Sequence, residues 1–158
     1  MKTRIFTTGI LLRRGKVLIL RRKMDDDTYP GMWDCVGGHF EEGESAEACM
    51  IREAKEESGL DVRIVRSGPL MEYSDEYGKA ISVPFVIRSD KGRVILSEHS
   101  EFRWVRPTLV SRFRAVPDLM MALDAFGFKS RRARLALDAV RIPGSSQASS
   151  NSDTRLHL

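Results

Sequence analysis

Glu53, Glu56 and Glu57 lie within one short stretch of the chain. Glu53 and Glu57 are four residues apart and Glu53 and Glu56 are three apart, so a helix would gather their carboxylates into one cluster. Like charges at these spacings each cost about 0.2 to 0.5 kcal/mol, and carboxylates near the end of a helix oppose its dipole. Because the cluster is unfavourable for the helix itself, we interpret it as a functional site rather than a solvated face.

Clustered carboxylates offer hard oxygen ligands of the kind that Mg²⁺ and Mn²⁺ prefer. Such a cation offsets the charge of a diphosphate, which allows a nucleophilic water to approach. The cluster therefore indicates one site for metal, water and a phosphorylated substrate. We interpret His39 and His99 as polar loop residues, because hard cations prefer oxygen to nitrogen.

A helix is needed to hold the glutamates together, and the sequence marks both of its ends. Ser45 suits the N-cap and Gly59 suits the C-terminal stop. The residues before it, 37–44, predict a loop. Residues 5–12 and 17–20 predict two antiparallel strands, because aliphatic and β-branched side chains flank a short basic turn that contains glycine.

The rest of the chain predicts more strands followed by helices. Residues 23–31 have turn chemistry and predict a loop. Helical spacing begins after Pro107 and again after Pro117, which suits the first position of a helix. Further short strands are predicted at 62–65, 70–73, 81–87, 94–96 and 102–105, and a basic helix is predicted at 130–140 before a polar tail at 144–158.

The composition is that of a globular protein with one domain. The chain has 158 residues, of which 42% are hydrophobic and 30% charged. No apolar run approaches the roughly 20 residues that span a bilayer, so we expect no membrane association. Cys35 and Cys49 form no metal-binding pattern, so we predict buried, reduced thiols and a cytoplasmic location.

The net charge of +4 is unevenly distributed, because residues 106–158 hold nine Lys or Arg and four Asp or Glu. Such an excess can attract anionic ligands or nucleic acid. No aromatic residues alternate with these charges and no nucleic-acid motif is present, so we interpret the excess as a solvated basic helix. We do not expect a nucleic-acid partner, and we expect a monomer or a homodimer.

The glutamates belong to a longer pattern, GHFEEGESAEACMIREAKEESGL, at residues 38–60. This stretch resembles the Nudix box, G-x5-E-x7-R-E-U-x-E-E-x-G-U, although Ala54 is smaller than the usual aliphatic residue and Val36 stands where the family often has Pro. The resemblance implies an α/β fold, the Nudix α/β/α sandwich with a mixed β-sheet between helices. It implies a domain at residues 1–143 and is strongest over 4–128. The fixed positions that match are Gly38, Glu44, Arg52, Glu53, Glu56, Glu57 and Gly59.

The resemblance also implies roles within the box. Members of this family use Mg²⁺ or Mn²⁺ and water to cleave nucleoside diphosphates linked to another group. By resemblance, Glu53, Glu56 and Glu57 hold the cation, with the Gly37 carbonyl as a further ligand and one glutamate acting as base. The residues implied to shape the loop and the helix are Gly38, Glu44, Arg52 and Gly59.

Outside the box, resemblance suggests a fourth acidic group and contacts to the substrate. We favour Glu98 over Glu101 as a further metal ligand or base, because a Glu often precedes the strand that carries Trp in this family. Arg21 and Arg22 end the second strand, where the family often places a basic residue facing the phosphates. Trp33 is expected either to cover the site or to fill the core.

The resemblance leaves the substrate open among nucleoside triphosphates, nucleotide sugars and dinucleoside polyphosphates. Asp75 stands where ADP-ribose hydrolases of the family have Pro, and Tyr77 resembles a Tyr of dinucleoside polyphosphate hydrolases. Two alternatives remain. WDCVGGH at 33–39 resembles the prenyl diphosphate isomerase branch of the family, and some Nudix modules sense nucleotides or bind RNA without catalysis.

Overall fold

Seven strands form one mixed sheet within residues 2–128, which are the residues that this computed structural model describes. A 3₁₀ helix at Pro107–Arg112 follows the last strand. The other elements are β1 (Arg4–Arg13), β2 (Lys16–Arg21), β3 (Trp33–Asp34), α1 (Ala46–Ser58), β4 (Arg63–Ser67), β5 (Met71–Asp75), β6 (Gly78–Arg88), β7 (Glu101–Val105) and α2 (Pro117–Ala125).

The sheet has the order β3-β2-β1-β6-β4, with β5 also paired to β6 and β7 also paired to β2. β1 and β6 run parallel over nine residue pairs, and every other pairing between these strands is antiparallel. β1 and β2 form the predicted hairpin, in which Leu12 pairs with Val17. The sheet is therefore mixed, as the resemblance implied.

The helices cover both faces of this sheet. Alternate residues of a strand point to opposite faces. Leu18 and Leu20 of β2 pack with Met50 of α1 in one buried cluster. Val17 and Ile19 of the same strand pack with α2 in the other buried cluster. This arrangement confirms the predicted α/β/α sandwich.

A short segment, residues 33–39, fills the gap where β1 and β2 diverge from their turn. Trp33 pairs with β2 as part of β3, while Val36 and His39 form isolated bridges to Gly9 and Phe6 of β1. A Cβ atom at Gly37 would lie 2.0 Å from the Thr7 carbonyl oxygen. Only glycine permits this close approach of the two backbones.

The helix that carries the glutamates has the predicted ends. The Ser45 side chain accepts a hydrogen bond from the Ala48 N–H at 3.1 Å, which satisfies one exposed donor of the first turn. Gly59 ends the helix in the left-handed conformation with φ 73°, and its N–H donates to the Lys55 carbonyl. These two caps fix which turns of the helix present the glutamates.

The strand predicted at residues 94–96 is wrong. Val94 and Leu96 pack against the cluster under α1, but Ile95 is 68% exposed and its N–H donates to the Ser58 carbonyl. The segment thus forms its backbone hydrogen bond with the end of α1 rather than with a neighbouring strand. Its apolar side chains pack against the cluster beneath that helix. The first helix predicted after Pro107 is a 3₁₀ helix.

Cys35 and Cys49 are buried free thiols, which confirms the prediction that both cysteines are buried and reduced. No helix in residues 2–128 is long and apolar enough to cross a membrane. The predicted basic helix at 130–140, the tail at 144–158 and the domain limit at 143 lie outside the described residues.

We expect Gly37→Ala to lower the free energy of unfolding by about 1 to 3 kcal/mol more than Gly15→Ala, measured by urea denaturation. Gly15 has φ 73° and no atom lies within 4 Å of the place where a Cβ would stand, so alanine there meets only the left-handed conformational cost of about 1 to 2 kcal/mol. Equal losses in the two variants would contradict a steric role for the Thr7 contact.

Candidate active site

One cavity of about 420 Å³ contains the glutamate cluster. Its walls come from β1, the loop after β2, the segment 33–39, α1, β5, the loop before β7 and the start of α2. The cavity therefore spans the sheet from one helical layer to the other. Its charged lining residues are Arg4, Arg22, Asp26, Asp34, Glu53, Glu56, Glu57, Glu98 and Asp118.

Glu57 is the most enclosed of the glutamates, with 4% of its surface exposed. Its Oε1 accepts a hydrogen bond from the Gly37 N–H at 2.9 Å, and its Oε2 lies 3.5 Å from Nδ1 of His99. Burial raises the pKa of Glu57 well above its ordinary value, and the bond from Gly37 opposes that rise. An additional positive charge beside this carboxyl would favour its ionised form.

Arg52 links the loop before α1 to the glutamates on the helix. Its Nε and Nη2 donate to the two carboxylate oxygens of Glu44 at 2.7 and 3.0 Å, in a bidentate pair. These hydrogen bonds lower the pKa of Glu44 to about 2. Nη1 of Arg52 donates to Glu53 at 3.0 Å and to Glu56 at 3.1 Å. Arg52 is thus the shared counter-charge of these three carboxylates, and its Nε also lies 3.6 Å from Glu41.

Glu53 packs directly against the backbone of Gly38. A Cβ atom at that glycine would lie 2.3 Å from the Glu53 carboxyl carbon, so a larger residue would displace the carboxylate. Burial raises the pKa of Glu53, while its hydrogen bond with Arg52 opposes the rise. In both Glu53 and Glu57, the neighbouring charges and hydrogen-bond donors among residues 2–128 do not fully offset the cost of burying the ionised carboxylate.

The two acidic residues before β7 have different surroundings. Glu98 is exposed and lines the cavity. Glu101 is not among the lining residues, and its carboxylate binds Arg103 at 2.8 Å and lies 3.5 Å from Arg21. Glu98 is thus the one of the two that joins the cluster.

Of the three residues predicted to contact the substrate, only Arg22 lines the cavity, whereas Arg21 and Trp33 do not. Arg22 lines the cavity and donates to the Thr28 carbonyl at 2.7 Å and to Asp34 at 3.0 Å. Arg21 lies outside the cavity lining, where its Nε donates to the Gly31 carbonyl at 3.2 Å. Trp33 is 7% exposed and packs edge-on against Phe113 in the core cluster beneath α2.

A second polar group, which the sequence did not reveal, lies where α2 meets the cavity. Asp118 accepts hydrogen bonds from the Thr8 hydroxyl at 3.2 Å and the Tyr73 hydroxyl at 3.4 Å. Burial raises its pKa to about 7, with the charge of Asp34 as a further cause. An acidic residue at a helix start is ordinary, so position alone carried no signal.

Asp34, Cys35 and Asp118 each bring one potential ligand atom within 4.8 Å of the other two. Burial raises the pKa of the Cys35 thiol and that of Asp118, which favours protonated groups at both positions. One of the three ligand atoms is a thiol sulfur, so this group suits Mg²⁺, which prefers oxygen ligands, less well than a set of carboxylates. The carboxylates of α1 do not meet the same spacing within residues 2–128, where Arg52 lies between Glu53 and Glu56.

Arg4 and Tyr29 line the cavity and are held in place by contacts with Asp75 and Tyr77. Tyr29, in the loop after β2, hydrogen-bonds through its hydroxyl to Asp75 at the end of β5. Arg4 Nη2 contacts both carboxylate oxygens of Asp75 at 2.7 Å, and its guanidinium lies 5.8 Å from the ring centre of Tyr77. The Tyr77 ring also packs edge-on against the Tyr29 ring, and the Tyr77 hydroxyl accepts a hydrogen bond from the backbone N–H of Tyr29. Tyr77 therefore supports Arg4 and Tyr29 without lining the cavity itself.

Comparison with known proteins gives matches over most of the chain. The family model for the NUDIX domain matches residues 3–124. The CTP pyrophosphohydrolase of Escherichia coli (strain K12) is 25% identical over 132 residues, which cover 80% of this chain and 93% of that protein. The isopentenyl-diphosphate Delta-isomerase of Citrobacter koseri is 34% identical over 58 residues, which cover 36% of this chain and 32% of that protein.

Among solved structures, the MutT protein from Methanosarcina mazei has a TM-score of 0.67 and 24% identity. The match covers 87% of this chain and 94% of that chain. At this identity, the likeness shows a shared fold and leaves the chemistry to be argued from the site.

Replacement of Asp118 by Asn should change how stability depends on pH. A carboxyl with a raised pKa in the folded state stabilises fully below its unfolded pKa of 3.8, and this contribution is lost as the pH rises through about 7. Asn stays neutral throughout. The free energy of unfolding of Asp118→Asn relative to wild type should therefore rise between about pH 4 and about pH 8.

Urea denaturation across this pH range measures the effect. Asp124→Asn, which removes an exposed carboxylate from the same helix, is the matched control. A difference between Asp118→Asn and wild type that is independent of pH would show that Asp118 is not protonated on folding.

Proposed function

The chain belongs to the Nudix family, and from that premise we propose that this pyrophosphohydrolase is Mg²⁺-dependent and cleaves a diphosphate linkage in a nucleoside diphosphate joined to another group. The observation that carries the proposal is that Glu53, Glu56, Glu57 and Glu98 all line the same cavity. Four carboxylates in one cavity offer the oxygen ligands that a divalent cation prefers, and such a cation would also offset the charge of a diphosphate.

The donor set fits Mg²⁺ or Mn²⁺. We propose that Glu53, Glu56, Glu57 and Glu98 hold the ion together with the Gly37 carbonyl. All are hard oxygen donors, and the raised pKa values of Glu53 and Glu57 indicate carboxyls that a nearby cation would help to ionise. When bound, such an ion neutralises phosphate charge and makes a coordinated water more acidic.

The protein groups then have separable tasks in the reaction. Water attacks phosphorus, the anhydride P–O bond breaks, and the leaving phosphate keeps the bridging oxygen. We propose Glu98 as the acceptor of the water proton, because it is an exposed carboxylate on the cavity wall that, unlike Glu56, is not hydrogen-bonded to Arg52. Glu44 and Arg52 keep the loop and the helix in register, and Gly38 and Gly59 allow the backbone to follow.

For the phosphates, we propose Arg22 rather than Arg21 as the contact. Arg22 lines the cavity, and its planar guanidinium, which binds Thr28 and Asp34 in this structure, is suited to phosphate oxygens, whereas Arg21 is directed towards Gly31 and Glu101. Trp33 packs in the core, so we assign it a supporting role beneath Asp34 rather than a direct contact with substrate.

We place the nucleoside in the part of the cavity formed by β5 and α2. Tyr73 and Asp118 offer hydrogen-bonding groups there, and Tyr29 and Phe6 offer aromatic surface. Nucleoside triphosphates are the first substrates to test, because the relative aligned over 93% of its length is a CTP pyrophosphohydrolase. Nucleotide sugars and dinucleoside polyphosphates are the other two classes.

We expect Glu57→Gln to lower kcat by at least about 100-fold on every substrate that the wild type cleaves with Mg²⁺. The amide keeps the shape of the side chain and removes its charge. Glu72→Gln, an exposed residue that pairs with Lys79 on β6, is the control and should keep wild-type activity. Chromatographic identification of nucleoside monophosphate, pyrophosphate or phosphate gives the bond that is cut.

The panel contains nucleoside triphosphates, oxidised nucleotides, nucleotide sugars, ADP-ribose and dinucleoside polyphosphates, each with Mg²⁺ and with Mn²⁺. Isopentenyl diphosphate is included because of the short match to an isomerase. Isomerisation without hydrolysis would favour that branch of the family. Nucleotide binding with no turnover of any substrate would indicate a sensing module instead.

A further inference from the structure

His99 occupies a buried position beside the glutamate cluster, although it lies in a loop. Only 8% of its surface is exposed, and its Nδ1 has no hydrogen-bond partner within the described residues. The Oε2 atom of Glu57 lies 3.5 Å from this nitrogen. Buried ring nitrogens ordinarily have a partner, so this pair requires an explanation.

The loop that carries His99 is fixed on both sides. The Ser97 hydroxyl donates to the Glu56 carbonyl of α1 at 2.7 Å, and the Ser100 N–H donates to the Arg21 carbonyl of β2 at 2.9 Å. These bonds connect the loop to the helix with the glutamates and to the strand with the arginines. The position of the His99 ring is therefore set by the same elements that set Glu57.

We propose that His99 is a positioning residue, whose Nδ1–H donates to Oε2 of Glu57 while the Gly37 N–H holds Oε1. This inference rests on the proposed function, in which Glu57 helps to hold the cation. The separation of 3.5 Å is about 0.5 Å longer than an ordinary N–H···O bond, so the proposal requires the two side chains to approach by that amount.

The tautomer follows from electrostatics. A neutral imidazole has one nitrogen that donates and one that accepts, and the neighbour of each nitrogen decides between them. A lone pair on Nδ1 would face a carboxylate oxygen and be repelled, whereas a hydrogen there is attracted. With one donor on each oxygen, the Glu57 carboxylate is fixed in orientation and still has a lone pair on each oxygen for a cation.

Removal of a hydrogen-bond donor that orients a metal ligand commonly lowers metal affinity or activity by about 10- to 100-fold. Two variants separate this role from simple packing. His99→Asn keeps an N–H donor at the same number of bonds from the backbone as Nδ1, and His99→Leu keeps the bulk without a donor. Far-UV circular dichroism and thermal unfolding establish that each variant is folded.

We expect His99→Leu to weaken Mn²⁺ binding, measured by electron paramagnetic resonance of free Mn²⁺, and to lower kcat, each by about 10- to 100-fold with little change in KM. His99→Asn should recover most of both losses. Wild-type Mn²⁺ affinity in His99→Leu, or equal losses in the two variants, would overturn the proposal.

Nitrogen-15 spectra of the wild-type protein saturated with Mg²⁺ provide a readout that needs no activity. The chain has three histidines, and loss of one signal in His99→Asn assigns the ring. The Nδ1–H tautomer is expected, and the Nε2–H tautomer would overturn the proposal. If the wild type cleaves nothing on the substrate panel, the proposed function fails, while the Mn²⁺ and tautomer measurements still decide the role of His99.

Discussion

The backbone at Gly37 and Gly38 approaches β1 and α1 more closely than any side chain would permit, and the site depends on this contact. The Thr7 N–H donates to the Gly38 carbonyl at 2.9 Å, which fixes the segment beside β1. The Gly37 N–H then reaches Glu57, and the bare Gly38 leaves room for the Glu53 carboxylate. One close contact therefore completes the sheet where its strands diverge and orients two of the glutamates.

Charge is the second constraint, because α1 brings like charges together. Arg52 relieves part of the repulsion, since its guanidinium contacts Glu44, Glu53 and Glu56. The relief is unequal. The pKa of Glu44 falls to about 2, whereas burial keeps the pKa values of Glu53 and Glu57 raised. The helix is thus held in register by one arginine, while burial still favours the neutral form of the two more enclosed carboxyls.

The features that could be predicted from the sequence are those set by near neighbours. Ser45 and Gly59 define the ends of α1 through local backbone hydrogen bonds, and residue spacing alone gathers the glutamates. The strand predicted at 94–96 failed because its apolar residues pack against the end of a helix, a contact that alternation along the chain does not report. Similarly, nothing local separates Glu98 from Glu101 or Arg22 from Arg21. Their different positions follow from pairing between β2 and β7 and from the path of the loop after β2.

The difference between contacts of near and of distant residues also explains why the type of reaction is easier to predict from the sequence than the substrate. The proposed cation ligands lie mainly on one helix and the loop before it, so a single stretch of sequence encodes them. The part of the cavity proposed to hold the nucleoside, here called the nucleoside wall, is built from residues far apart in the sequence. Asp118 is hydrogen-bonded to Thr8, 110 positions away, and Arg4 to Asp75, 71 positions away. Substitutions at any of these separate positions would reshape the nucleoside wall and leave α1 intact. A change of substrate would therefore need only these distant contacts to change, while the residues of α1 stay the same.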